Sequence, residues 1–144
     1  MRPGGLFISC EWLDGIYHSS GSLQDIAPHA YHYLYLLQQA FRQQGIPNIV
    51  SRIPDFIRDS GLFEEPHTQR FPMVLGNPAI QEAGDPRLMY REVVMRYAAS
   101  LKYLFLDHEM PLAEANNLVN NFLRDIDDVQ ELRLYYNVVY ARRL

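Results

Sequence analysis

Arg2-Pro3-Gly4-Gly5-Leu6-Phe7-Ile8-Ser9-Cys10-Glu11-Trp12 is the stretch on which the reading of the fold turns. Pro-Gly-Gly is a tight-turn signal. The run after it is short, apolar and dense in strand formers, and it ends in polar residues. That pattern predicts a buried strand. A buried strand needs neighbours, and no strand-like segment precedes this one. The expectation is a sheet that lacks part of its strands.

Downstream, 13–26 is rich in Gly, Ser and Asp and reads as a mobile loop. Pro28 opens a helix that runs to about Gln44, with Gly45 as its stop. Ala30, Leu34, Leu37 and Phe41 give it one apolar face. Tyr31, Tyr33 and Tyr35 alternate as in a strand, but the length free of Gly and Pro decides for helix. A shorter helix is expected over about 51–60, with Ile53, Phe56 and Ile57 inward and Gly61 ending it. Phe63 to Leu75 reads as a strand, interrupted by Pro66 and Pro72. A loop over 76–84 leads to Asp85-Pro86, a cap followed by Pro. The helix from there to about Leu106 presents Tyr90, Val93, Val94, Tyr97, Leu101, Leu104 and Phe105. Another, about 112–126, turns Ala115, Leu118, Val119, Phe122 and Ile126 inward. Leu132 to Ala141 is apolar or aromatic on both faces, so it is expected inside a sheet, with Tyr136 and Val138 buried. The alternation of elements points to α/β layering.

Composition narrows the classes. A chain of 144 residues is enough for one domain, and 48% hydrophobic with 21% charged residues is ordinary globular usage. The net charge of −4 gives no basic footprint for nucleic acid. The single Cys10 excludes an intrachain disulfide and a Cys-rich zinc site. The first 20 residues lack the basic-then-apolar order of a signal peptide, and no run reaches the length of a membrane span. The expected setting is reducing and intracellular: the cytoplasm, with the nucleus as alternative.

Four passages together resemble the C-terminal half of a class I S-adenosylmethionine-dependent methyltransferase, of the fungal secondary-metabolism regulator type. Arg2 to Ile8 resembles that family's Pro-Gly-Gly turn and fifth strand. Ile53 to Phe63 resembles the helix ending in Gly-Phe ahead of the sixth strand. Phe71 to Gly76 resembles the end of that strand. Tyr135 to Arg143 resembles the closing strand, usually Val-Tyr-Gly-Arg-Lys, with Ala141 where many relatives have Gly. The resemblance implies a partial Rossmann-like fold: strands 5, 6 and 7 with flanking helices, the N-terminal half of the sheet missing, and a helical insertion at about 86–126. It implies that the opening strand pairs with the fourth strand on one edge and the closing strand on the other.

S-adenosylmethionine is the cofactor of the intact family. There a Gly-rich loop after the first strand and an acid at the end of the second hold it, because Gly permits close backbone approach and a carboxylate accepts ribose hydroxyls. This sequence has no such loop, so no cofactor-binding and no catalytic residue carries over, and no cofactor is expected for the chain alone. Met1 directly before the turn points to a truncated product or a partial gene model. The function implied is the C-terminal part of a methyltransferase, inactive by itself. The alternative is a non-catalytic interaction module derived from that fold. A protein partner, or self-association through the exposed edge of strand 6–11, follows from the absent fourth strand.

Candidate residues are few. Ligands in open α/β sheets bind beyond the carboxyl ends of strands. Glu11 and Trp12 sit there and are candidates to line a substrate pocket; otherwise Trp12 packs under a helix and Glu11 is solvated. His18 is a candidate general base for a methyl acceptor, against an ordinary loop histidine. His29 and His32 share a helix side but lack a third metal ligand and are read as solvent-facing. Asp107-His108-Glu109 is read as a helix end, its His answering the dipole. Asp125, Asp127 and Asp128 lack the Gly and Glu of a calcium loop and are read as solvated. Leu101 to Leu106 is read as core, with an interface as second choice.

Overall fold

The computed structural model of the chain describes residues 1–12, 15–46, 48–75 and 86–144. The expected loop at 76–84 and the cap at Asp85 lie outside them. The described elements are β1 (Leu6–Trp12), α1 (Leu23–Ile26), α2 (Pro28–Gln43), a 3₁₀ turn (Val50–Arg52), α3 (Ile53–Ser60), β2 (His67–Val74), α4 (Pro86–Ser100), α5 (Lys102–Asp107), α6 (Leu112–Asp128) and β3 (Arg133–Arg142). The chain divides into two units. One holds Met1–Asp14, Asn48–Pro72 and Leu134–Leu144, and the other Gly15–Pro47 and Met73–Arg133.

The first unit contains most of the sheet, in the order β1-β3-β2. β1 pairs antiparallel with β3, from Leu6 opposite Arg142 to Trp12 opposite Tyr136. The sheet is antiparallel throughout, so β1 and β2 run the same way with β3 reversed between them. The mixed α/β class expected from the sequence is present. The parallel neighbours that a doubly wound sheet requires are not found among the described strands.

The turn before β1 is built as its residues demand. Gly4 has φ +76°, the Gly5 amide donates to the Arg2 carbonyl at 3.0 Å, and Pro3 precedes Gly4, a type II arrangement. The end of β3 holds this turn: the Gly4 amide donates to the Arg143 carbonyl and the Arg143 amide to the Gly5 carbonyl, both at 2.8 Å.

α3 covers one face of the sheet. Ile57, Val139 and Ala141 form its buried core, with Phe7, Ile53 and Phe63 packed against them. The Phe7 and Phe63 rings meet at 5.8 Å, tilted by 59°. Gly61, at φ +62°, ends α3 in the left-handed conformation that its sequence position implied.

Several expectations need correction here. β1 is not buried: Leu6 is 50% and Ile8 55% exposed, Cys10 and Glu11 are exposed too, and Phe7, Ser9 and Trp12 are half-buried. β3 lies inside the sheet as expected. Its fully buried residues are Leu134, Asn137, Val139 and Ala141, while Tyr136 and Val138 are half-buried. Phe56 points outward at 44% exposure, since one narrow stripe of α3 meets the sheet. β2 starts at His67, later than Phe63; Phe63 instead makes an isolated bridge to Arg143.

The second unit is helical. α2 packs along α6, and α5 joins them. Tyr33 lies at the centre, its ring 4.4 Å from that of Phe122 and 5.5 Å, edge-on, from that of Phe105. Its hydroxyl donates to the Ala98 carbonyl at 3.0 Å. Burial, and secondarily Tyr97, pushes the Tyr33 phenol far above its usual range. All five inward positions expected on α6 are buried. On α2 the buried stripe is Ala30, Tyr33, Leu37 and Ala40, shifted by about one position from the expected face, because the Tyr33 ring fills the space between α5 and α6. The long helix expected over 86–106 breaks at Leu101. There the Tyr97 carbonyl accepts from both the Leu101 amide at 3.0 Å and Ser100 Oγ at 2.7 Å, and the Leu104 amide donates to the Leu101 carbonyl in a tighter i+3 turn.

Candidate functional site

Three side chains were expected to line a pocket. Glu11 and Trp12 end β1 in the sheet unit, Glu11 exposed and opposite Asn137, Trp12 half-buried. His18 belongs to the helical unit. The structure therefore brings Glu11 beside Trp12, and His18 is described with different neighbours.

His18 is fastened at both ring nitrogens. Nδ1 accepts from the Ser20 amide at 3.1 Å, and Nε2 lies 3.0 Å from the Gln130 carbonyl. Since Nδ1 accepts, the neutral ring carries its proton on Nε2 and donates it to that carbonyl. A general base needs a free lone pair. Here the Ser20 amide and the Gln130 carbonyl engage the two ring nitrogens, which ties the loop down at His18. The rest of the loop is tied down with it. Tyr17 and Arg133 exchange two backbone hydrogen bonds of 2.8 Å, and Ser19 Oγ donates to Glu131 Oε2 at 2.8 Å. Leu23–Ile26, expected as loop, is a short helix capped by the Ser22 hydroxyl, which accepts from the Gln24 amide at 3.2 Å. The expected mobile loop is thus pinned to the turn between α6 and β3.

Pinning the loop creates a cleft of about 420 Å³ between it and α2. Ile16, Tyr17, His18 and Ser22 line one side, and Tyr31 and Tyr35 the other. The two α2 tyrosines lie four residues apart, one turn of helix, on the face opposite buried Tyr33. The alternating tyrosines that resembled a strand thus divide between core and cleft. Their i,i+4 spacing was the available signal for the cleft. The partner wall, over 90 residues of contacts away in its fixing points at Gln130 and Arg133, left no mark in the local sequence.

The other candidates resolve as follows. His29 and His32 are exposed, and no group of three His, Cys, Asp or Glu side chains able to hold a metal occurs among the described residues. His108 caps the end of α5, half-buried, and its Nε2 has no hydrogen-bond partner among the described residues. Asp127 pairs with Arg91. Asp125, expected to be solvated, is 7% exposed. Its Oδ2 accepts from the His29 amide at 2.8 Å and the Ala30 amide at 2.9 Å. The N-cap position of α2 is Ala27, which has no side-chain acceptor, so a carboxylate from α6 caps α2 instead. In the 101–106 stretch Phe105 is buried and Tyr103 is 66% exposed. No described helix is long and apolar enough to cross a membrane. No protein-family model matches this sequence, and neither a curated protein nor a solved structure matches it.

Proposed function

We propose that this chain is the C-terminal part of an S-adenosylmethionine-dependent methyltransferase fold that cannot bind the cofactor on its own. The observation that carries the reading is the arrangement of the sheet. β3 runs reversed between β1 and β2 and hydrogen-bonds to β1 along its whole length. That is the pairing of opening and closing strands which the four resembling passages imply. Further support comes from the Pro-Gly-Gly turn ahead of β1 and from Gly61 ending α3 ahead of β2. Methyl transfer is an in-line displacement that depends on positioning more than on acid–base groups. A half-sheet without a catalytic constellation is compatible with an active whole.

One observation favours the second reading, an interaction module. β1 pairs with β3 alone among the described strands, and Leu6 and Ile8 are exposed beside that free edge. Such an edge accepts a strand from a partner. Two experiments test the readings in turn. Titration calorimetry of the chain with S-adenosylmethionine should show no saturable binding, and binding at micromolar concentration, about −8 kcal/mol, would refute the proposal. Translating the genomic sequence in frame ahead of Arg2 then discriminates: a strand followed by Gly-x-Gly-x-Gly supports the methyltransferase, and its lack supports the module.

A further inference from the structure

We propose that the cleft between the pinned 15–23 loop and α2 binds an uncharged, flat aromatic small molecule. The cleft lies wholly in the helical unit, and the inference is independent of the methyltransferase reading. Its volume, about 420 Å³, falls within the range of small-molecule sites. Three tyrosine rings border it while still 41–50% exposed: Tyr17, Tyr31 and Tyr35. Tyrosine rings exposed in one concave place offer flat apolar walls for stacking with polar tips. Ile16, 4% exposed, is the buried part of the lining, and Leu34 adds a half-buried apolar side chain.

The lining also selects against charge. None of the described residues around the cleft is Asp, Glu, Lys or Arg, and both ring nitrogens of His18 are already engaged, with Ser20 and Gln130. A charged ligand would give up water without gaining an ion pair. Gln38 and the Ser22 hydroxyl remain as neutral hydrogen-bonding groups, which suit a hydroxyl or carbonyl on the ligand rim. The walls are preorganised. The loop is fixed by the Tyr17–Arg133 backbone pair and the His18 strap, and the opposite wall is a helix anchored by Tyr33. Little ordering entropy is lost on binding to such a site.

The test is a fluorescence titration of the full chain with N-phenyl-1-naphthylamine, an uncharged aromatic probe that brightens out of water. Saturable one-site binding at micromolar concentration is expected. The double variant Tyr31→Ala/Tyr35→Ala should weaken it at least tenfold. Tyr103→Ala, an equally aromatic but distant exposed site, should leave it unchanged. Alanine at exposed helix positions favours the helix, so the fold should persist. Heteronuclear NMR of the unmutated chain gives a second readout, in which probe-induced shifts should concentrate at 15–23 and 31–38. The anionic analogue 1-anilinonaphthalene-8-sulfonate should bind at least tenfold more weakly. Absent saturation, unchanged affinity in the double variant, shifts centred elsewhere, or equal affinity for the anionic probe would each overturn the proposal.

Discussion

Replacing Asp125 should unfasten the two longest helices of the helical unit. Its carboxylate is 7% exposed and accepts from two amides of the first turn of α2. In Asp125→Ala both donors lose their acceptor. The His29 amide belongs to an exposed residue and can turn to water, whereas Ala30 is fully buried and its amide cannot. Loss of a cap costs about 0.5–2 kcal/mol. Leaving a buried donor unpaired adds about 1–3 kcal/mol. The expected loss is therefore about 2–4 kcal/mol, or a fall in melting temperature on the order of 10 °C. Asp125→Asn keeps an acceptor and loses only the charge that answers the helix dipole, a cost of about 1 kcal/mol. Urea unfolding followed by far-UV circular dichroism measures both. The ranking Ala well below Asn, with Asn slightly below the parent, is the signature of a cap. A change within about 0.5 kcal/mol for Asp125→Ala, the range of an ordinary surface site, would refute the reasoning.

Val139→Asp should destabilise by about 4 kcal/mol or more, because Val139 is 1% exposed among Ile57 and Ala141, and an unpaired charge cannot be solvated there. Val138→Asp, on the half-buried face, should cost markedly less in the same urea titration, and equal costs would contradict the assigned faces. Tyr33 should make stability sensitive to alkali. Its folded pKa is raised, so its contribution is complete below the unfolded value near 10 and declines as pH rises above it. Unfolding free energy should fall by up to about 1.4 kcal/mol per pH unit there, over the slope shown by Tyr33→Phe, and parallel slopes would refute the assignment.

Legibility in the sequence followed the range of each interaction. α6 was readable because its inward apolar positions recur at helical spacing and all five are buried. The end of α3 was readable because Gly61 carries its conformation locally. What required partners distant in sequence was lost. The cap on α2 comes from 96 residues away, although a mark of it existed: Asp125 sits between Phe122 and Ile126 on the buried stripe, where a solvated Asp has no place. The break at Leu101 carries no Gly or Pro to announce it. His18 is a candidate base by residue type alone, whereas its ring contacts come from Ser20 and, 112 residues away, Gln130. The cleft escaped the reading for the same reason, its far wall being fixed by contacts from the end of α6.

The disagreement at β1 differs in kind from these. Leu6, Phe7, Ile8 and Trp12 distribute apolar side chains over both faces, a pattern suited to a strand covered on two sides. Leu6 and Ile8 stand half-exposed beside an edge that pairs with no other described strand. An edge strand of a self-sufficient antiparallel sheet ordinarily bears polar or charged side chains on its open face, because unpaired amides beside apolar surface invite association. Arg2 and Pro3 precede β1 and Glu11 lies near its end, so no charge interrupts the apolar part. Local propensity and burial therefore conflict at Leu6 and Ile8, whereas they agree along α6. A strand that paired with this edge and covered Leu6 and Ile8 would remove the conflict. Both proposed readings make use of that edge, one through a fourth strand and the other through a partner's strand.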